Sequence, residues 1–220
     1  EKGTHYPEFK VRKEEKEKSD RRGAPVLPGI YTVTMNWDGM ALSQPLNVSH
    51  DPRMSSWVST EDLAARRAAF KSIEGIEVGL DLAVQSLAQA NENIERLQSL
   101  LKREPYASDS VLVDTVKATA KALEAARHHV FGKKETKGYF EQPEVWSSQW
   151  GSSLWQLMSS QRAWESNEQA LFDQLAKRTE KATETVLTFL MEDYNGLLEY
   201  LEEHPVDLMV PTKIEEEIRK

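Results

Sequence analysis

Cysteine is absent from the 220 residues, so the chain has no disulfide, no thiolate metal site and no cysteine nucleophile. This absence fits the cytosol and a bacterial envelope equally well. Basic residues are outnumbered, with 28 Lys and Arg against 36 Asp and Glu and a net charge of −8. That balance argues against a nucleic-acid partner, because phosphate binding needs a basic surface. No apolar run approaches the length of a membrane span.

Short catalytic signatures are also missing. The sequence holds no Gly-x-Ser-x-Gly elbow and no glycine-rich phosphate loop. His5, His50 and His204 are isolated and lack the spacing of metal ligands. The sequence therefore predicts no catalytic residue, no metal and no cofactor, and this chain is not expected to be an enzyme.

A β-hairpin is the most informative feature that is present. In residues 25–53, β-branched and aromatic residues alternate around Asp38-Gly39, a pair typical of a tight primed turn. Pro45 in the second strand cannot donate a ladder hydrogen bond, which favours a free edge there. Because a lone hairpin is only marginally stable in water, we expect these strands to complete a sheet whose other strands lie elsewhere.

The chain is interpreted as the C-terminal piece of a larger protein, since it carries no initiator methionine and no signal peptide. Residues 1–24 are predicted to be a polar linker. Its mixed-charge run, residues 10–22, favours a solvated surface over an electrostatic arm, because both signs are interleaved. Residues 206–220 are predicted to be a C-terminal tail with an apolar patch and a charged end.

The remaining residues, 54–205, predict an all-helical region. Apolar residues recur at alternating spacings of three and four, which indicates amphipathic helices over about 60–102 and 109–131. Gly75 and Gly79 interrupt the first helix and indicate either close contact with another element or a bend. The aromatic stretch 132–150 predicts a loop packed on the bundle. A third helix is expected over about 152–203, as one helix or as two collinear helices, so the predicted fold is mainly α, an antiparallel bundle of three long helices.

The hairpin resembles the last strands of a sheet domain in large bacterial sortilin-like proteins with Asp-box (BNR) repeats, which are often labelled glycosyl hydrolases. The family pattern reads approximately LPGxYxVxLxxDGxxxxQxLxVxxDPR. The matching residues are Leu27, Pro28, Gly29, Tyr31, Val33, Asp38, Gly39, Gln44, Leu46, Val48, Asp51, Pro52 and Arg53. Residues 139–175 also resemble the family's aromatic entry into its third helix.

That resemblance implies a β-propeller followed by an Ig-like or FlgD-like sheet domain, which this hairpin would complete, and then a helical bundle. It also implies a secreted or periplasmic, envelope-associated location; the alternative is cytoplasmic. The Asp-box pattern Ser-x-Asp-x-Gly-x-x-Trp occurs nowhere in this chain, so no propeller blade is present and no catalytic label is carried over.

The histidines and carboxylates of the helical region are expected to have structural or solvent-exposed positions rather than metal-binding or catalytic roles. His128 and His129 are adjacent on a helix and therefore point about 100° apart, which suits the helix dipole better than chelation. Acidic runs at 202–203 and 215–217 are expected to be solvated, because catalytic carboxylate pairs need a dry cleft. Glu165 and Glu168 share a helix face without the histidine of a di-iron bundle.

An aromatic cluster is the most unusual feature of the helical region. Its members are Tyr139, Phe140, Trp146, Trp150, Trp155 and Trp164. Two interpretations stay open: packing at the end of the bundle core, and a partner-binding patch, because tryptophan is enriched at interface hot spots.

The function expected is therefore that of a non-catalytic structural and interaction module, a C-terminal spacer and docking bundle of a larger β-propeller protein. Its partners would be proteins, first of all the remaining strands of the sheet domain and the propeller, from the same chain or another subunit. The alternative is an accessory domain of a parent glycan- or peptide-acting hydrolase. A cytosolic coiled-coil adaptor is a third interpretation.

Overall fold

The structure is a computed structural model, and it consists of a β-hairpin followed by a long helical bundle. It describes residues 7–10, 25–54, 56–102, 106–133, 144–159 and 162–206. The predicted combination of a mainly helical chain with a two-stranded antiparallel hairpin is confirmed. Within the described residues the hairpin pairs with no third strand.

The hairpin comprises β1 (Gly29–Trp37) and β2 (Met40–Val48). The strands pair antiparallel, from Trp37 opposite Met40 at the turn to Gly29 opposite Val48 at the open end. Asp38 and Gly39 have φ angles of 45° and 76°, so the predicted primed turn is confirmed. This turn matches the right-handed twist of the two strands and fixes their register.

Helix α1 (Thr60–Leu100) is the longest element, at roughly 60 Å for its 41 residues. It begins at a capping box, in which the Ser59 hydroxyl accepts from the Asp62 amide and the Asp62 carboxylate accepts from the Ser59 amide. Its buried stripe includes Leu80, Val84 and Leu87, none of which is accessible to solvent.

Helix α2 (Ser110–Phe131) follows α1 after a short 3₁₀ turn, Tyr106–Ser108. The Asp109 side chain caps its start by accepting from the Leu112 amide at 3.0 Å. Gly132 ends it with a φ of 73°, a left-handed conformation that favours glycine. Because the connection is short, α2 runs back along the second half of α1.

The third predicted helix is wrong, because the chain forms two helices there. Helix α3 (Trp146–Ser159) begins inside the expected loop, and helix α4 (Ser166–Thr188) begins after a turn. A π-helical segment, Phe189–Tyr194, continues α4 without a break into α5 (Asn195–Glu203), since the backbone dihedrals stay helical throughout. Among the described residues the bundle thus has four helices rather than three, the fourth being α4, the π-helical segment and α5 together.

Helices α3 and α4 are antiparallel rather than collinear. The Trp146 indole, at the start of α3, donates to the Thr179 hydroxyl in the middle of α4 at 2.9 Å. At the other end of α3, the Trp164 indole donates back to the Leu157 carbonyl at 3.2 Å. The chain therefore reverses direction between Ser159 and Ser166, and the reversal lets both apolar stripes face the same core.

The fourth helix runs parallel to α1 and in register with it. The Asp62 carboxylate accepts from the Ala163 amide at 3.0 Å, and the Asn93 amide group donates to the Tyr194 hydroxyl at 2.8 Å. Both pairs are 101 residues apart in sequence. Helix α3 lies beside the first half of α1, where Arg66 donates to the Met158 carbonyl, and α2 lies beside the second half. The bundle is therefore three helices wide at each level.

Candidate interaction surfaces

The two faces of the hairpin differ sharply in character. One face carries Thr32 and Thr34 of β1 opposite Pro45 and Ser43 of β2, and the hydroxyls of Thr34 and Ser43 are hydrogen-bonded at 2.8 Å. The other face is almost entirely apolar. Its residues are Tyr31, Val33, Met35, Trp37, Met40, Leu42, Gln44, Leu46 and Val48. We refer to these nine residues as the apolar hairpin face.

The apolar hairpin face is exposed to solvent. Trp37 is 72% exposed, Leu42 64% and Met35 57%. No residue of β1 or β2 is buried, although large apolar side chains normally find cover in a folded protein. A contiguous exposed surface of this kind is typical of an interaction site.

The two edges of the hairpin are not equivalent. In a two-residue hairpin the pair flanking the turn, here Trp37 and Met40, exchanges both backbone hydrogen bonds, and bonding then alternates pair by pair. The amides and carbonyls of Thr32 and Thr34 therefore point outward along the β1 edge. Pro45, opposite Thr32, takes an outward position on β2 and supplies no amide donor there. The β1 edge is the better template for another strand.

The hairpin is attached to the bundle by a few polar contacts near its base. Arg67 of α1 donates to the Pro25 carbonyl at 2.8 Å. Asp51 and Arg53 form an exposed ion pair at 2.7 Å, and the Trp57 indole donates to the Arg53 carbonyl. Val58, 3% exposed, is the first buried apolar residue after the strands. These contacts orient the hairpin without covering its apolar face.

Two of the predicted aromatic residues lie inside the bundle. Trp146 is 2% exposed and Trp150 is fully buried, and their rings stack at 5.0 Å. They pack among the helices at the level where α2 ends and α3 begins. In this structure neither side chain is accessible to a partner.

The other tryptophans of the cluster are more accessible. Trp155 is 76% exposed on α3, whereas Trp164 is half-buried and packs on Phe172 at 5.3 Å. Tyr139 and Phe140 lie outside the described residues. The structure thus brings Trp146 and Trp150 together and separates Trp155 from them, and a partner-binding role for the cluster stays a prediction.

The adjacent histidines belong to a polar cluster at the end of α2. Glu124 contacts Arg127 and His128, each at 2.6 Å. The hydrogen bond from Arg127 is the main cause that lowers the pKa of Glu124 to about 2. His129 lies near Lys181, and burial followed by that positive charge lowers the pKa of His129. The arrangement is a polar network on α2, in which Arg127 forms an ion pair with Glu124.

The carboxylate pairs also have structural roles where they are described. Glu165 and Glu168 form a reciprocal capping box at the start of α4. Glu202 and Glu203 are exposed at the end of α5, and the His204 ring stacks on Tyr200 at 4.5 Å. Residues 215–217 lie outside the described part of the chain.

An open hollow of about 600 Å³ lies where α1 and α4 begin, beside Trp57 and Trp164. Asp62 borders it and accepts hydrogen bonds from Ala163 and Ser59, which lower the pKa of Asp62. A general acid needs the opposite shift, so this carboxylate is suited to joining the two helix starts and not to acid catalysis. This junction has no signal in the sequence, since no local pattern pairs Asp62 with Ala163.

Two further kinds of site are absent from the described residues. No group of three or more His, Cys, Asp or Glu side chains there is placed to hold a metal ion. None of the described helices combines the length and the apolar character that a membrane crossing requires.

Comparison with known proteins adds no relative. The sequence matches no protein family, no curated protein and no solved structure at a significant level.

Proposed function

We propose that this chain is a non-catalytic structural and interaction module, in which the bundle is a spacer and the hairpin is the attachment to a larger β-sheet. The observation that carries the proposal is the exposed apolar hairpin face. We expect a partner to cover the apolar side of this amphipathic hairpin, because folded proteins normally cover such surfaces.

The partner we propose is the remaining part of an Ig-like or FlgD-like sheet domain, from the same polypeptide or another subunit. Its strand pairs with the β1 edge, and its second sheet covers the apolar hairpin face. Support comes from the outward amides of Thr32 and Thr34 and from the absence of charged residues in both strands. Pro45 makes β2 the outer strand.

The larger protein we propose is a secreted or envelope-associated β-propeller protein of the sortilin-like, Asp-box type. Support for it is the strand motif from Leu27 to Arg53, which continues directly into a helical bundle. The bundle suits a spacer because α1 and the parallel fourth helix make a rigid rod of roughly 60 Å. Its core is self-contained, with Leu80, Val116 and Val186 all inaccessible to solvent.

Hydrogen exchange on a longer polypeptide tests this proposal. The reading frame upstream of Glu1 is expected to encode a sheet domain and Asp-box blades, and the longer product is expressed beside the 220-residue chain. Amides of Ile30, Thr32 and Thr34 should exchange much more slowly in the longer product, because they gain hydrogen-bonded partners. Equal exchange rates in the two polypeptides would refute the proposal.

Two proline substitutions form a matched pair for the same experiment. Thr34→Pro and Ser43→Pro each remove one outward amide and the same cross-strand hydroxyl bond. Only Thr34 lies on the edge proposed for pairing. The protection gained in the longer polypeptide should be lost with Thr34→Pro and largely kept with Ser43→Pro.

A further inference from the structure

A second candidate surface lies on the bundle, in the groove between α1 and the fourth helix. Ile76 of α1 and Ala176, Leu187 and Met191 of the fourth helix form its apolar floor. Leu187 is 43% exposed and Met191 73%. The groove follows the helices from Asp173 to Glu192, which is roughly 28 Å at 1.5 Å per residue.

The wall of the groove is acidic. Asp173, Glu180, Glu184 and Glu192 line it, and Lys177 is the one basic residue among its lining residues. The four carboxylates follow one another at spacings of seven, four and eight residues along the fourth helix. An apolar floor with an acidic wall is complementary to a helix that is apolar on one side and basic on the other.

Two glycines of α1 lie next to Ile76, the α1 residue that lines the groove. Gly79 follows Ile76 by three residues and Gly75 precedes Gly79 by four, so both lie on neighbouring turns of one side. A Cβ atom at either position would meet nothing within 4 Å. Within the part of the chain that the structure describes, Gly75 and Gly79 show neither a close contact nor the positive φ angle that normally accounts for glycine. Glycine there leaves room for another backbone to approach α1 closely.

We propose that this groove binds a basic amphipathic helix of a protein partner, which lies along α1 and the fourth helix and passes closest at Gly75 and Gly79. The added helix would make the bundle four helices wide at this level. Its apolar residues contact Ile76, Leu187 and Met191, and its basic residues face the acidic wall. This surface is separate from the hairpin, so the inference does not depend on the function proposed above.

A second copy of this chain is a poorer occupant, because packing groove on groove would place four carboxylates of each copy opposite those of the other. The parallel, in-register pairing of α1 with the fourth helix keeps the groove continuous along this length. A peptide of about 20 residues matches the groove as a helix.

Binding of a designed peptide tests the inference. The probe is a fluorescein-labelled peptide of about 20 residues, with leucine and alanine on one helical face and lysine and arginine on the other. A scrambled peptide of identical composition is the control for charge alone. Fluorescence anisotropy with the full chain should show at least about tenfold tighter binding of the amphipathic peptide.

Protein variants locate the site. Gly75→Leu with Gly79→Leu should weaken binding at least about tenfold by filling the space. Gly151→Leu, at an exposed α3 glycine that is equally unobstructed, should leave it unchanged. Glu180→Lys with Glu184→Lys should weaken it, whereas Glu202→Lys with Glu203→Lys should have little effect. Thermal melting checks that every variant folds.

Several outcomes would overturn the inference. Equal binding of the two peptides, or wild-type affinity in the Gly75→Leu, Gly79→Leu variant, would reduce the effect to general charge attraction. If the amphipathic peptide did not bind at concentrations up to millimolar, the proposed site would be wrong. Dimerisation of the wild-type chain that this glycine variant abolishes would assign the groove to a second copy.

Discussion

In the bundle, the large aliphatic side chains of α1 that face the core are shielded from water, and Leu80, Val84 and Leu87 are fully buried. In the hairpin, the equivalent side chains of the apolar face are more than half exposed at Leu42, Met35 and Trp37. The same chain therefore contains one region whose apolar surface is covered and another whose apolar surface is open.

The difference follows from where each kind of element finds its partners. A helix satisfies its backbone hydrogen bonds within itself, and four helices are enough to cover each other's apolar stripes. A strand leaves half of its backbone groups at an edge and one face bare until other strands arrive. The bundle core is thus closed, although the groove along the fourth helix leaves Leu187 and Met191 exposed, and the hairpin is the part that we propose as the attachment point.

The largest expected effect concerns the bundle core. Trp150→Ala removes a fully buried ring stacked on Trp146 and should cost about 3–5 kcal/mol of unfolding free energy, measured by urea titration. Trp155→Ala, at an exposed position, is the control and should change it by less than about 0.5 kcal/mol. Equal costs at the two positions would place Trp150 outside the core.

Removal of the α1 glycines should have the opposite sign. Gly75→Ala and Gly79→Ala each add a methyl group into open space in a helix interior and should stabilise the bundle by up to about 1 kcal/mol. Thermal melting measures the effect. A loss of stability in either variant would mean that α1 packs closely against another element at that glycine, and the space beside α1 would then not be open.

Acid should weaken one ion-pair network of the bundle. Arg127 holds the pKa of Glu124 near 2, below its ordinary value of 4.5. A carboxyl with a lowered pKa contributes stability above pH 4.5, and that contribution is lost as the pH falls toward 2. Because Glu124 is about half exposed, we expect about 1 kcal/mol at most.

Glu124→Gln is the variant that isolates this contribution. Denaturant titrations of both proteins between pH 5 and 2.5 should give a difference that shrinks toward the acid end. Below pH 4.5 the carboxyl of the unfolded chain is protonated, and the contribution is lost as the pH approaches the native pKa of about 2. If the difference between the two proteins grew as the pH fell, the assignment of the lowered pKa would be wrong.

The smallest expected effect is in the hairpin. Met35→Thr with Leu42→Thr replaces an exposed apolar cross-strand pair and should change the stability of the bundle by less than about 0.5 kcal/mol. Leu87→Ala, at a buried position of α1, should cost about 2–5 kcal/mol under the same conditions. A large effect of the hairpin pair would show that the two regions share a core.

Local signals in the sequence predicted the parts of the fold that depend on a few neighbouring residues. Asp38-Gly39 determines the turn through its own backbone, and the bounds predicted for α1 and α2 lie within two residues of those observed. The helix count was wrong because the apolar spacing continues through the turn before Ser166. Periodicity alone does not distinguish two antiparallel helices from one long helix.

The candidate surfaces were only partly predictable. The alternating residues on either side of Asp38-Gly39 predict which side chains share each face of the hairpin, since the turn determines the register. The same reasoning could not separate buried Trp150 from exposed Trp155, because both lie on one short helix and burial depends on which elements pack against it. The acidic groove depends on the 101-residue offset between α1 and the fourth helix, which no local pattern contains.

Residue-level hydrogen exchange on the 220-residue chain is the most direct test of the difference between hairpin and bundle. Amides around Leu80 to Leu87 should exchange through global unfolding, with the full free energy of the bundle. The cross-strand amides of Val33 and Met35 should exchange through local opening at far lower free energy. Protection of those strand amides equal to that of α1 would contradict the account, because the hairpin would then be stable without a partner.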